Sequence, residues 1–323
     1  MKENHKILIF IIKCIAIPAA AILIIFLLNI PYQKIDDEKY RDLWDLRMLG
    51  IYIDNVKIAN VGSSHGAYDF TYDELTEAGY SCFNFGNTSQ TYQYDLSLLR
   101  EYGMHLDAGG VLFIPVSYFS FNNETVNETE AQALSVKYYH FLSPQNIPDY
   151  DLFTDIVTTR LPVLSAGEDL LQLLPDLHLA LTVFAQEDGI DETEFANRAA
   201  QRYDRHFNNK ETYFLPERSD QLLSIIDYCN EHKITPVLIT TPFSSYYNAL
   251  VENSFLYDFY DTIDRIVSDT GVSYYDYSHD ERFSDNLIYF SDPDHLNEEG
   301  ARYFMGILEE EIPELQEVLS APQ

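Results

Sequence analysis

From Ile7 to Leu28 the chain is apolar at every position except Lys13. At about 1.5 Å of rise per residue, a helix of that length reaches across the roughly 30 Å hydrocarbon core of a bilayer. Everything after it must therefore build its own core on one side of a membrane. Lys2 and Lys6 precede the run and Lys13 sits early in it, whereas Asp36, Asp37 and Glu38 follow. The positive-inside rule then places the N-terminus in the cytoplasm and the C-terminal part outside the cell. Ala19-Ala20-Ala21 offers small residues for signal-peptide cleavage, but the apolar run continues past them, which fits an uncleaved single-pass anchor better. Lys13 can snorkel to the inner interface. The chain divides into a cytoplasmic tail (1–6), a transmembrane anchor (7–29), a juxtamembrane stalk (30–54) and a domain (55–323).

Past the stalk, short apolar runs alternate with amphipathic stretches. Strands are expected at about 55–61, 81–85, 111–116, 235–240 and 272–276. Helices are expected at about 72–77, 90–102, 221–232, 246–270 and 298–311. Strand, helix, strand at this spacing implies right-handed parallel crossovers and a doubly wound α/β sheet. From about 121 to 220 the pattern turns polar and helical with Pro and Asn breaks, an insertion expected to cover the carboxyl edge of the sheet.

The first strand stops abruptly at Gly62-Ser63-Ser64-His65-Gly66. A tight strand-to-helix turn of small residues exposes one side chain at the sheet edge beside free backbone N–H groups, where an acyl-transfer enzyme would put its nucleophile. A serine hydroxyl needs a base within reach and a third group to fix the base's tautomer. Far along the chain, Ser291-Asp292-Pro293-Asp294-His295-Leu296-Asn297 supplies an acid and an imidazole three positions apart, just before the last helix. One loop can carry both, so only two segments must meet. Asp294 is the rival acid, with capping of the following helix as its structural role. His65 is the rival imidazole, but adjacent residues on such a turn diverge, which makes it a pocket wall or substrate contact. Gly62 to Gly66 also fits the Gly-x-Ser-x-Gly elbow of α/β-hydrolases, yet too little chain precedes Ser64 for that fold.

Gly62-Ser63-Ser64 resembles the first block of the SGNH (GDSL-type) hydrolase superfamily, and Asp292-Pro293-Asp294-His295 resembles its last. The resemblance runs from about Asn55 to the C-terminus with a poorly matched middle. It implies a three-layer α/β/α, flavodoxin-like parallel sheet with Ser64 as nucleophile, His295 as base and Asp292 as orienting acid. It also implies oxyanion donors at the Ser64 amide and at Gly86, within Asn84-Phe85-Gly86-Asn87. The superfamily's third donor, an Asn in a Gly-x-Asn-Asp block, is replaced here by Pro115-Val116-Ser117-Tyr118-Phe119-Ser120, where Asn87 or Ser117 can stand in. A single N-terminal membrane helix with a Gly-Ser-Ser turn is most similar to the membrane-anchored members that help esterify cell-surface polymers. Those include the lipoteichoic acid D-alanylation and alginate-type O-acetylation proteins. The resemblance implies a serine esterase or acyltransferase on acetyl or D-alanyl esters of an extracellular cell-envelope glycopolymer, with a membrane-bound acyl-donor protein as partner. From another class, a non-catalytic envelope assembly or polymer-binding protein would keep the same scaffold.

Charge narrows the partners. With 20 Lys and Arg against 52 Asp and Glu, the formal net charge of −32 excludes a nucleic-acid footprint and counts against an unassisted anionic polymer. The 25 Tyr and 20 Phe include flat faces that can stack on sugars. Cys82 and Cys229 are the only cysteines beyond the apolar run, too few for a disulfide scaffold. No His-x-x-x-His, Cys-x-x-Cys or glycine-rich nucleotide loop occurs, so neither a metal nor another cofactor is expected.

Overall fold

The computed structural model describes residues 2–39, 54–122, 135–167, 192–207 and 214–321, which fall into two units. The first joins helix α1 (Lys2–Lys39) to residues 135–167. Among the described residues α1 is the one helix long and apolar enough to cross a membrane, from Ile12 to Asp36. Towards its C-terminal end Asn29, Tyr32 and Asp36 are buried, a helical spacing that presents one face. Asn29 Nδ2 donates to the Arg160 carbonyl at 3.0 Å, and the Val163 N–H donates to Asn29 Oδ1 at 3.3 Å. Asp36 lies 3.9 Å from His140.

The second unit carries the sheet. Its elements are β1 (Val56–Asn60), α2 (Ser64–Tyr68), α3 (Asp73–Glu77), β2 (Cys82–Asn84), α4 (Tyr92–Tyr102), β3 (Leu106–Pro115), α5 (Glu192–Phe207) and α6 (Pro216–His232). Then follow β4 (Thr235–Thr240), α7 (Ser245–Asn248), α8 (Asn253–Thr270), β5 (Ser273–Asp276), β6 (Phe290–Asp292), β7 (His295–Leu296), α9 (Glu298–Glu311) and α10 (Pro313–Ser320). Five parallel strands in the order β2-β1-β3-β4-β5 make the flavodoxin-like sheet, with Ile58 beside Val111 and Phe113 beside Val237. Alternation along the strands sorts the core into two layers. Ile58, Phe113, Val237 and Ile239 pack with Phe70, Leu75, Phe304, Leu308 and Leu315. Leu112, Ile114 and Leu238 point the other way, where α4, α6 and α8 bury Leu98, Ile225 and Phe259. Each such side chain contributes about 1.5–3 kcal/mol when fully buried.

The expected helix at 246–270 is two helices, because Ser244 caps α7 through its side chain and α8 starts afresh at Asn253. The third strand begins at Leu106, earlier than expected, with a register irregularity against β1 between Val56 and Ile58. Residues 121–220 are not one body. Within them, 135–167 belong with α1, whereas α5 belongs with the sheet. The stalk at 40–53 and the insertion at 123–134, 168–191 and 208–213 lie outside the described residues. Cys82 and Cys229 are free thiols.

Candidate active site

Gly62 turns the chain out of β1 with φ +112°, a conformation that disfavours any side chain, and an added Cβ there would sit 3.1 Å from the Pro115 ring. Ser64 follows as the first residue of α2. Two side-chain amides, the buried Asn60 and the half-buried Asn84, hold this turn. Asn60 Nδ2 donates to the Gly66 carbonyl at 2.8 Å and to Asn84 Oδ1 at 2.9 Å.

The loop between β6 and β7 brings its residues to the same place. The His295 ring accepts from Ser64 Oγ at 2.7 Å through Nε2, and donates through Nδ1 to Asp292 at 2.8 and 2.9 Å. Asp292 Oδ1 also accepts from the backbone N–H groups of Asp294 and His295, both at 3.1 Å. Ser64, His295 and Asp292 are therefore one hydrogen-bonded chain, from residues more than 220 positions apart. Burial works against the His295 imidazolium, but the Asp292 hydrogen bond and the nearby carboxylates outweigh it and raise the ring above its ordinary value. Burial likewise opposes charge on Asp292, yet the His295 hydrogen bond and the positive field of His295 and Arg202 hold its carboxyl well below the usual range.

Asp294 faces the other way. Its fully buried carboxylate takes the fork of Arg202 at 2.6 and 2.8 Å, while its carbonyl accepts from His65 Nε2 at 2.7 Å. Burial pushes the Asp294 carboxyl up from its ordinary value, and Arg202 opposes the rise. Arg202 Nη2 lies 3.3 Å from His295 Nε2.

His65, expected as a pocket wall or substrate contact, and Ser117, expected as a stand-in donor, are both turned inward. His65 is 0% exposed and Ser117 3% exposed, and they bond each other, Ser117 Oγ to His65 Nδ1 at 3.0 Å. With Nε2 given to Asp294, both ring nitrogens are used, and burial keeps the ring neutral by pushing it well below its ordinary value. The imidazole packs behind His295 with ring centres 4.9 Å apart, a strut and not a substrate contact. The further oxyanion donors are corrected as well. The Gly86 backbone N–H donates to Asn84 Oδ1 at 2.8 Å and the Asn87 backbone N–H to the Gly62 carbonyl at 3.0 Å, and neither residue lines the cavity. Gly86 serves close packing instead, since a Cβ there would lie 2.4 Å from the Gly66 carbonyl carbon. Of the expected donors, the Ser64 residue alone lines the cavity. His65, Asp294 and His295 have their ligating atoms within 4.8 Å of one another, but those ring nitrogens are already in hydrogen bonds to Asp294, Ser117, Asp292 and Ser64.

Three residues beyond those expected complete the site. Asp69, buried and pushed up to about 7 by burial, accepts the Leu296 N–H at 2.9 Å and so ties the His295 loop to the Ser64 turn. Asp95 on α4 accepts the Gly62 N–H at 2.8 Å and Gln90 Nε2 at 2.7 Å. Arg202 comes from the poorly matched middle of the chain. Its only sequence signal was spacing, because Arg198, Arg202 and Arg205 share one side of a helix in an acid-rich chain.

Ser64, Asp292 and His295 open onto a cavity of about 800 Å³, within the usual range for small-molecule sites. Its wall carries Arg202, Arg205 and Arg218, while its carboxylates have protein partners: Asp292 with His295, Asp95 with Gly62, Glu298 with Arg302. Asn122, 4% exposed, lines it with an Nδ2 that has no partner among the described residues.

No protein-family model matches the chain, and no curated protein matches it. Solved structures superpose on it at low identity. One from Streptococcus pneumonia, named for a platelet activating factor, is 13% identical at a TM-score of 0.43, covering 90% of this chain and 98% of its own. An acylhydrolase from Bacteroides fragilis is 10% identical at 0.39, covering 81% and 88%. A GDSL-like lipase from Bacteroides thetaiotaomicron is 10% identical at 0.38, covering 79% and 87%. Likeness this remote assigns no activity to the chain.

Proposed function

We propose that the chain is a membrane-anchored serine esterase or acyltransferase that works on acetyl or D-alanyl esters of an extracellular cell-envelope glycopolymer. The observation that carries this reading is the hydrogen-bonded chain from Asp292 through His295 to Ser64 at the mouth of the cavity. Ser64 Oγ attacks the ester carbonyl as His295 Nε2 takes its proton. The Ser64 amide stabilises the oxyanion, and His295 returns the proton to the departing alcohol oxygen, leaving an acyl-Ser64 ester. A polymer hydroxyl or water then repeats the sequence in reverse. Asp292 keeps the Nδ1 proton in place throughout.

Attachment at the cell membrane favours transfer over free hydrolysis, because it raises the effective concentration of a membrane-bound acyl-donor protein and of surface polymer. The arginines on the cavity wall revise the expectation drawn from net charge. Screening confines the remote negative charge to about 8–10 Å, and although Arg202 is paired with Asp294, Arg205 and Arg218 remain on the wall to meet the anionic units of a polymer. One observation favours a second reading, a non-catalytic polymer-binding protein. The backbone N–H groups of Gly86 and Asn87 are bonded elsewhere and neither residue lines the cavity, which leaves the Ser64 N–H without the further donors expected beside it.

The test is intact-protein mass spectrometry after exposure to a fluorophosphonate. Wild type should gain one phosphonyl group and Ser64→Ala none. An unlabelled wild type would support the binding protein instead. In cells, Ser64→Ala should lower the ester content of envelope polymer if the protein transfers, and raise it if the protein hydrolyses.

A further inference from the structure

The segment from Leu152 to Arg160 is built inside out. It is a short helix (Leu152–Asp155) running into a wider helical turn (Ile156–Arg160). Its buried face is polar, with Thr154 and Thr158 enclosed and Thr158 Oγ1 donating to the Thr154 carbonyl at 2.8 Å. Its outer face is apolar, with Leu152 63%, Phe153 72% and Ile156 41% exposed, and Leu164 just beyond is 50% exposed. A soluble surface helix has the opposite arrangement. Large side chains at helical spacing on the outside call for an apolar cover.

The same unit shows what that cover is. Asn29 of α1 holds this segment at both hydrogen-bonding ends of its amide, to the Arg160 carbonyl and the Val163 N–H. Beside Asn29, Phe26, Leu27 and Ile30 of α1 are themselves exposed, so α1 and the segment it holds at Arg160 and Val163 both present apolar side chains outward. At about 1.5 Å per residue, Ile12 to Asn29 spans roughly 26 Å, nearly one hydrocarbon thickness. Asn29 thus falls where the far acyl chains meet the headgroups. Arg160 is exposed at the end of the apolar stripe, where an anionic headgroup can meet it.

We infer that Leu152, Phe153, Ile156 and Leu164 form a second membrane contact, an interfacial helix lying in the outer leaflet beside α1. Its ligand is the acyl chain and headgroup region of the bilayer. The inference rests on the anchor reading of α1, and the geometry adds the depth and the side chains. An interfacial helix of this kind buries its apolar face about 5–10 Å into the boundary. It fixes the unit on the membrane by two points instead of one.

The experiment uses the full chain in vesicles of phosphatidylcholine and phosphatidylglycerol. The single Trp44 is replaced by Phe, and one tryptophan is placed at an exposed aromatic position: Phe153→Trp, Phe26→Trp or Tyr257→Trp. Part of the phosphatidylcholine is brominated near the head of the acyl chain. Tryptophan at 153 should emit at shorter wavelength than at 257 and lose intensity to the brominated lipid, as burial in the acyl-chain boundary requires. Tryptophan at 257 should be unaffected. Quenching at 26 but not at 153 overturns the interfacial contact and leaves the anchor standing. Absence of quenching at both overturns the two together. Phe153→Cys provides an independent check. Efficient disulfide dimerisation through position 153 in vesicles would show that a second copy covers the stripe, and would equally overturn the lipid contact.

Discussion

The backbone N–H of Gly62 donates to Asp95 Oδ1 at 2.8 Å, so a carboxylate on α4 holds the glycine that turns the chain into Ser64. Burial pushes Asp95 up to about 7, with the bonds from Gln90 and Gly62 opposing the rise, and Oδ2 has no partner among the described residues. A carboxyl raised on folding stabilises the native state below its ordinary value of 3.8, and that contribution is lost as pH rises through about 7. Asp95→Asn keeps an acceptor for Gly62 and removes the buried charge. Unfolding free energies of the two proteins from urea titrations should be similar near about pH 4 and diverge towards about pH 8 in favour of the variant, by on the order of 1–4 kcal/mol. Parallel free energies across that range would mean that Asp95 does not titrate there.

Asp292 and Asp294 both lie beside His295 and should behave differently. Asp292→Asn removes the acceptor of the Nδ1 proton and should lower turnover on a small ester by a factor on the order of 10⁴, as loss of the tautomer does in Ser-His-Asp enzymes. Asp294→Asn should reduce turnover much less and act mainly on stability, since it leaves Arg202 without its buried partner. A larger turnover loss in the second variant would reverse the two assignments.

The proposed reaction requires neutral His295, on which burial acts to lower the value while Asp292, Asp294 and Asp69 raise it above the ordinary one. Protonation removes the base, so activity falls as pH is lowered through the raised value. The acid limb of kcat/KM should therefore lie above the ordinary imidazole value of 6.5. Asp69→Asn should shift it towards lower pH. A limb at or below the ordinary value in wild type would contradict the arrangement of carboxylates around the ring.

Arg205 and Arg218 on the cavity wall should matter in proportion to substrate charge. For the acyl ester of a sugar phosphate, R205Q/R218Q should raise KM about tenfold or more at low salt, and added salt should shrink the difference. The ester of the uncharged sugar should lose far less. Equal losses on the two esters would assign the arginines to folding and not to recognition.

Two glycines should respond in opposite directions. Gly86→Ala forces a Cβ against the backbone of Gly66 and Ala67, neither of which is a flexible side-chain end, and should cost about 3 kcal/mol or more in stability. Gly306→Ala, exposed within α9 with nothing within 4 Å, should gain about 0.5–1 kcal/mol. Thermal melting of the purified variants reads both.

What could be read along the chain was what depends on near neighbours. An apolar run long enough to span a bilayer, strands and helices at alternating periods, a glycine that turns β1 into Ser64, and an acid three residues before an imidazole are all patterns of a few positions. The doubly wound sheet follows from them, because short right-handed crossovers leave little choice of topology. The tertiary structure decided whatever depends on how buried groups find partners across the fold. His65 and Ser117 turned inward to satisfy each other and the Asp294 carbonyl, because a polar group taken from water must be paired. The Gly86 amide went to Asn84 because two backbones meet there too closely for anything else. Arg202 reached Asp294 from 92 residues away, and Asp69 reached Leu296 from 227. No local periodicity encodes such pairings, since each exists only once packing has brought a buried charge to a place where one geometry can compensate it.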